Sequence, residues 1–144
     1  MTPTAAQMFS RDLTCQALGI ELDDVGLGRA CVRMHMSEQM TNGHGIGHGG
    51  YLFLLADAAF ACASNTHGPV AVAQSAHITY LQPAMAGEEL FAEAFERTRR
   101  GRVGVYDVTV RRRNGAVIAE FRGNSLLLAG AGLDPLGGVD APGH

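Results

Sequence analysis

One segment constrains this chain more than any other: Gly49–Asn65, GGYLFLLADAAFACASN, in which Asp57 is the only charged residue. Its Leu and Ala content favours a helix over Tyr51–Asn65, and a helix that is apolar all round belongs in an interior. The Tyr51–Ala63 run is too short to cross a bilayer and is interrupted by Asp57, so that interior is expected to be a protein core and not a membrane. The rest of the chain must supply the walls. With 144 residues, 47% hydrophobic and 17% charged, there is material for one domain with one hydrophobic core, and disorder is excluded.

The walls read as strands. Ile20–Val25 and Arg29–Met36 flank the turn Gly26-Leu27-Gly28, and Ala30, Val32, Met34 and Met36 alternate with Arg29, Cys31, Arg33 and His35, the pattern of a half-buried strand. After the apolar helix come four more β-type segments, Val70–Leu81, Glu89–Thr98, Val103–Arg113 and Ala116–Leu128. The last two are joined by Asn114-Gly115, a two-residue hairpin signal, and the middle two by Arg99-Arg100-Gly101-Arg102. A helix over roughly Thr4–Leu18, stopped by Gly19, precedes them all. From about Ala129 the composition turns to Gly, Ala, Pro and Asp, which predicts a flexible tail over 129–144 after a single domain over 1–128. Helix, two strands, one long helix and four strands make an α+β chain with an antiparallel sheet wrapped around one central helix.

Asp57 carries the chemistry in this pattern. Its helical neighbours at i±3 and i±4 are Phe53, Leu54, Phe60 and Ala61, none of which offers a positive partner or a donor. Burying an unpaired carboxylate costs on the order of several kcal/mol, or raises its pKa until it stays protonated. A backbone amide or an Arg arriving from a strand would make the residue structural instead. Immediately before the helix lies Asn42-Gly43-His44-Gly45-Ile46-Gly47-His48-Gly49-Gly50, a glycine cluster leading into first-turn amides that have no intrahelical acceptor. Such N–H groups, at the positive end of the helix dipole, suit a developing oxyanion. Gly49 and Asp57 are about 12 Å apart at 1.5 Å per residue, too far for one chain to bring both easily to one carbonyl.

Several other chemistries are weaker. Gly45-Ile46-Gly47-His48-Gly49-Gly50 matches a dinucleotide fingerprint in letters, but no strand immediately precedes it, no acidic residue follows at about 20 positions, and the chain is not βαβ. His44 and His48 stand four apart across glycines without the glutamate of a zinc hydrolase, and His35, His67, His77 and His144 are scattered, so no metal is expected. Cys15, Cys31 and Cys62 form neither a disulfide framework nor a ligand spacing. Ser64 and Ser75 lie in no nucleophile elbow. A net charge of -3 gives no bulk attraction to nucleic acid, and the N-terminal MTPTAAQMFSRDLTC lacks the layout of a secretory signal, which makes a cytoplasmic location without membrane association the expectation.

The residues Asn42-Gly43-His44, His48-Gly49-Gly50, Phe53 and Leu55-Ala56-Asp57-Ala58-Ala59-Phe60 together resemble the signature of the hotdog-fold thioesterase superfamily, in its phenylacetic acid degradation branch. The resemblance spans about residues 5–128. It implies a hotdog fold, an acyl-CoA substrate of the phenylacetyl or hydroxyphenylacetyl type, and no cofactor, coenzyme A being part of the substrate. Asp57 is then the catalytic carboxylate, as nucleophile or general base, the Gly49 N–H the oxyanion donor, and Asn42 the group that orients water or carbonyl. The Asp and the Asn–Gly pair come from different subunits, so a homodimer is needed for the active site, and two dimers pair into a homotetramer. Substrate contacts are implied for His48, Gly50, Phe53, Ala61, Ser64 and Tyr80, the last on a strand resembling the family's pantetheine channel.

The turn Arg99, Arg100, Gly101 and Arg102 is the candidate CoA-phosphate site, with Arg111-Arg112-Arg113 second; a solvated basic hairpin tip is the competing reading. A hotdog dehydratase or hydratase and a non-catalytic acyl-CoA-binding hotdog protein are the alternatives. The first lacks here the Asp-x-Asn-Pro-x-His pattern, and the second would not be expected to keep Asp57.

Overall fold

A computed structural model describes residues 4–128, so the tail expected over 129–144, His144 included, lies outside the described residues. Two short helices open the chain, α1 (Ala5–Ser10) and α2 (Leu13–Leu18), followed by β1 (Glu21–Gly26) and β2 (Arg29–His35). A 3-10 turn at Glu38–Met40 leads to the long helix α3 (Gly49–Ser64), and then come β3 (Ala71–Tyr80), β4 (Glu89–Arg100), β5 (Val103–Arg112) and β6 (Val117–Leu127). The single helix expected over Thr4–Leu18 is broken because Asp12 is extended and its side chain accepts the Cys15 N–H at 2.9 Å, capping α2. A side chain that competes for backbone donors ends one helix and starts the next.

All six strands form one antiparallel sheet in the order β1-β2-β4-β5-β6-β3. Helix α3 packs across one face, burying Leu52, Leu55, Ala56, Ala59, Phe60 and Ala63 in a core shared with Val32 and Met34 of β2, Leu90 and Ala92 of β4, and Val108 and Val110 of β5. The alternation read in β2 is therefore the core alternation. Because β3 follows α3 yet lies at the opposite edge from β1, the helix carries the chain across the sheet. The connection 81–88 must then carry it back past the ends of β6 and β5 to reach β4.

Two features differ from the sequence reading. The β5–β6 turn has three residues, Arg113-Asn114-Gly115, not the two-residue Asn-Gly form. Gly115 has a φ of +94°, whereas Asn114 has a negative φ and uses its side-chain oxygen to accept the Ala116 N–H at 2.9 Å. A type I′ turn would need both residues at positive φ, and the register shift after Val110 absorbs the extra residue. The second difference concerns α3, which its own sheet covers on one side only. Phe53, Leu54, Asp57 and Ala61 are half-buried and Gly50 is exposed, forming a stripe along α3 that the sheet covers only in part. Strand β3 is open too, with residues 73–77 exposed on both faces and a ladder to β6 alone.

The approach of α3 to the sheet depends on Gly123 of β6, where an added Cβ would lie 2.8 Å from the Phe60 ring. Phe60 is almost fully buried and stacks obliquely on Tyr106 and Phe121, with centroids at 5.6 and 5.8 Å, so it has no free direction in which to yield. Gly123→Val is expected to lower stability by about 1–3 kcal/mol, the usual cost of overpacking a core. Urea unfolding followed by far-UV circular dichroism measures it; an unchanged midpoint would mean that the helix can lift off the sheet at no cost.

Candidate active site

The glycine cluster folds into a compact loop because its polar groups satisfy one another. Asn42 N–H bonds the Ile46 carbonyl at 2.8 Å, Gly45 N–H bonds the Asn42 carbonyl at 3.0 Å with Gly45 at a φ of +78°, and Thr41 pairs with Gly47. The Asn42 side-chain oxygen accepts the His44 N–H at 2.9 Å and, more weakly, the Ile46 N–H at 3.4 Å. Its acceptor is thus spent inside the loop, while its amide NH₂ has no partner among the described residues. An amide in that state offers donors only.

His48 ends the loop as the N-cap of α3, its Nδ1 accepting the Gly50 N–H at 3.2 Å. Its exposed side chain therefore works on the helix end, and it occupies the donor of Gly50 as well. The Gly49 N–H, by contrast, has no acceptor among the described residues, and it stands at the positive end of a 16-residue helix. Tyr80, the last residue of β3, donates its hydroxyl to the Gly49 carbonyl at 2.9 Å, and its ring lies so close that a Cβ at Gly49 would be 2.9 Å from it. A side chain at position 49 would therefore push the Tyr80 ring off the Gly49 carbonyl, a contact of which the sequence alone gives no sign.

Asn42, Gly47, Gly49, Tyr80, Gln82 and Ala84 line a groove of about 450 Å³. Two donors without acceptors therefore stand on one surface recess, the arrangement that stabilises an oxyanion. The wall formed by Leu81-Gln82-Pro83-Ala84 went unread in the sequence, where these residues look like a strand end and a turn.

The other expected site residues lie elsewhere in the chain. Asp57 sits two turns along α3, on the open stripe and outside the groove lining. Among the described residues it has no hydrogen-bond or ion-pair partner, so neither an amide nor an Arg makes it structural. Burial first, and the negative charge of Asp12 second, raise its pKa above the ordinary carboxylate value. Phe53 and Ala61 share the open stripe, with Phe53 edge-on to Phe121 at 5.3 Å. Ser64, expected as a substrate contact, is only 4% exposed and directs its hydroxyl at the Ala61 carbonyl, 3.3 Å away, because the last turn of α3 packs into the core.

The Arg99-Arg100-Gly101-Arg102 turn lies at the sheet end where α3 terminates, opposite the groove of the same chain; Arg102 Nε donates to the Leu127 carbonyl at 3.1 Å, and Arg99 and Arg100 are exposed. In the second basic run, Arg111 is committed to Glu93 and the Gly115 carbonyl, and Arg112 to Glu88, Gln82 and Pro83. That run thus keeps only Arg113 unengaged among the described residues. The buried thiols of Cys15 and Cys62 are pushed up to about 12 by desolvation, which removes them as nucleophiles near neutral pH. No three His, Cys, Asp or Glu side chains among the described residues converge to hold a metal ion.

Residues 44–119 match the family model described as the thioesterase superfamily. The chain is 41% identical over 126 residues to the acyl-coenzyme A thioesterase PaaI of Escherichia coli, covering 88% of this chain and 90% of that protein. The solved structure of the E. coli PaaI protein, from the phenylacetic acid degradation operon, superposes with a TM-score of 0.86 over 88% of this chain and 92% of that one. A mutant of phenylacetic acid degradation protein PaaI from Thermus thermophilus is 38% identical, with a TM-score of 0.78 over 81% of this chain and 100% of that one.

The raised pKa of Asp57 has a consequence for stability. The native state keeps this carboxyl protonated to higher pH than the unfolded chain does, so stability from this position is greatest below the unfolded pKa and falls as pH rises through the folded one. Asp57→Asn is therefore expected to have a higher urea midpoint than the wild type at pH 7, with the advantage closing as pH falls below the ordinary carboxylate range. A gap that stays constant across that titration would show that ionisation of Asp57 is not its cause.

Proposed function

Because this chain belongs to the thioesterase superfamily and has its hotdog fold, and is thus a thioester hydrolase, we propose that it hydrolyses aryl-CoA thioesters of the phenylacetyl or hydroxyphenylacetyl type. The observation that carries the reading is the unpaired Gly49 N–H at the mouth of the groove, on the same helix as a carboxylate that has no partner among the described residues. In the proposed reaction the thioester carbonyl oxygen accepts the Gly49 N–H and the Asn42 amide. Asp57 either attacks the carbonyl carbon or takes a proton from the water that does. The C–S bond breaks, CoA leaves as the thiol, and water supplies the oxygen of the acid product. Coenzyme A enters only as part of the substrate, and no cofactor is required. The phenylacetate link of the PaaI relatives supports the aryl acyl group.

Geometry makes the dimer part of this proposal. Gly49 and Asp57 are about 12 Å apart along α3, whereas both must reach within about 3 Å of one carbonyl group. A second copy, related by a two-fold axis and laid antiparallel on the open stripe of α3, would bring each Asp57 to the partner's Gly49. The exposed edge of β3 would pair in the same step, since an unpaired, two-sided strand edge is a template for another strand. This pairing also supports a CoA-phosphate role for Arg99, Arg100 and Arg102, because the basic turn of one chain then lies at the same end as the partner's groove. Further pairing into a homotetramer, and action on a cytoplasmic pool of CoA esters, complete the proposal. No described helix is long and apolar enough to cross a membrane.

Release of free thiol from a panel of aryl- and alkyl-CoA esters tests the function. Phenylacetyl-type esters should be turned over fastest, and rates near background across the panel would replace hydrolysis with simple acyl-CoA binding. Asp57→Asn should lower kcat by about 10²–10⁴, the usual effect of losing a positioned acid or base, and more if Asp57 is the nucleophile.

Mixing tests the shared site. Asp57→Asn and an inactive Asn42→Ala homodimer, allowed to exchange subunits, should form heterodimers with one intact site each and recover roughly a quarter of wild-type activity by symmetry. No recovery after complete exchange, verified by mass spectrometry of the intact complexes, would mean that both residues serve a site within one chain or that Asn42 has no catalytic part. Replacing Arg99, Arg100 and Arg102 together by Ala should raise KM for a CoA ester while sparing a truncated pantetheine thioester, with an effect of about 1 kcal/mol or less per solvated contact. Equal effects on both substrates would remove the turn from the nucleotide site.

A further inference from the structure

The connection 81–88 has an unusual task, since it crosses the ends of β6 and β5 to join strands that are not neighbours, and one face of it forms a wall of the groove. Its two ends are pinned by backbone. Leu81 and Gln82 N–H groups bond the Ile118 carbonyl at 2.8 and 3.2 Å, while Gly87 N–H bonds the Met36 carbonyl at 2.6 Å and Met36 N–H bonds the Glu88 carbonyl at 2.8 Å. Between them Glu88 Oε1 accepts the Met85 N–H at 2.7 Å, and the side chain of Arg112, the last residue of β5, ties the two ends of the connection to Pro83. Its Nε donates to Glu88 Oε2 at 2.7 Å, its Nη1 to Gln82 Oε1 at 2.7 Å, and its Nη2 to the Pro83 carbonyl at 2.7 Å and to Glu88 Oε1 at 3.3 Å. The pair is well covered, with 19% of the Arg112 side chain and 25% of Glu88 exposed, and the guanidinium holds the Glu88 carboxyl below its usual range. Charge-assisted bonds from a rigid fork to three residues fix a loop in a way that one ammonium group does not reproduce.

What the brace holds is the seat of the glycine loop. Next to Pro83, the fully buried Ala84 accepts the Gly47 N–H at 2.6 Å. Gly47 is wedged there, for a Cβ on it would lie 3.1 Å from the Ala84 Cβ, the Ala84 carbonyl oxygen and the Met36 methyl. Two residues on is Gly49, and five residues back is Asn42. The wall and the loop thus meet at a close backbone contact joined by a short hydrogen bond, through which the wall can position the loop's donors.

We propose that Arg112 is a positioning residue of the active site: by locking Gln82, Pro83 and Glu88 it sets Ala84, Ala84 sets Gly47, and Gly47 places the Gly49 N–H and the Asn42 amide on the reacting carbonyl. The catalytic part of this proposal rests on the oxyanion role given above to Gly49; the mechanical part does not. Displacing an oxyanion donor by about 1 Å can cost on the order of 10²-fold in rate, so the loss belongs in kcat, the donor acting mainly on the transition state.

The full-length protein with Arg112→Ala, and separately with Arg112→Lys, is assayed on the CoA ester that the wild type turns over fastest, alongside hydrogen exchange of the peptides covering 42–50. For Arg112→Ala, kcat should fall about 10- to 100-fold with KM within about threefold, and the Gly47 and His48 amides should exchange faster. Added ethylguanidinium should restore part of kcat in a saturable way, a response that simple loss of folded protein does not give. Arg112→Lys keeps the charge without the fork and should lose most of the same kcat; it carries the comparison if the Ala variant fails to fold. An unchanged kcat in either folded variant overturns the proposal, as does a loss of kcat that ethylguanidinium cannot restore and that comes without faster exchange at Gly47. A wild type inactive on every ester overturns the functional reading instead, and exchange at Gly47 then decides whether Arg112 holds the loop.

Discussion

The structure depends on α3 being covered, and one six-stranded sheet covers only one of its sides. Small residues on the inner side, Ala56, Ala59 and Ala63, let the helix settle onto Ala92 and Ala94 of β4, with the bulk of Phe60 received where Gly123 leaves room. Close contact of that kind gathers dispersion energy from many atoms at once and excludes water from both surfaces. The opposite side, with Phe53, Leu54 and Ala61 half-buried, retains an apolar stripe that the single chain covers only in part. Everything proposed for the catalytic arrangement follows from that imbalance, since the carboxylate of Asp57 lies in that stripe and the free amide of Gly49 at its end.

Crossing the sheet has a second effect. Because α3 begins where the glycine loop meets the 81–88 connection, its first turn is held from two directions: by Tyr80 on the Gly49 carbonyl, and by Ala84 on the Gly47 amide. A helix N-terminus is a weak source of positive potential in water and a stronger one where its amides are fixed and partly shielded. The groove supplies both conditions without any cationic side chain in its lining.

Much of this was legible in the sequence, and the parts that were not share a cause. Alternation in Arg29–Met36, the apolar run of α3 and the Gly101 and Gly115 turns are local signals, and they placed the strands to within a residue or two. Gly49 and Asp57 stand out because a glycine cluster leads into an apolar helix that holds one acid, whereas Asn42 is singled out only by the family resemblance. The break at Asp12 and the third residue of the β5–β6 turn are settled by side chains that take backbone donors, and the burial of Ser64 by the packing of the last turn of α3, none of which the local pattern shows. Tyr80 on Gly49, Ala84 on Gly47 and Arg112 on Gln82, Pro83 and Glu88 were beyond reach for a different reason: their partners lie 24 to 37 residues apart, joined only once the sheet exists. Arg112 in particular looked like one of three equivalent basic residues, and only its place at the end of β5 separates it from Arg113.

The strand order also dictates a sequence of events as the chain folds. Strands β4, β5 and β6 are neighbours in both chain and sheet, so they can assemble as a meander closed by two tight turns. Strand β2 cannot join them cheaply: Met34 pairs with Leu90, with α3 and β3 in the interval between, and closing that interval costs the chain entropy before any contact repays it. On a ribosome the order is harsher, for the N-terminal half emerges first and α3 must wait with its apolar sides bare until the meander has been made. In that interval the chain is open to aggregation, and variants that slow the β4–β6 meander lengthen it even where the finished molecule is as stable as before.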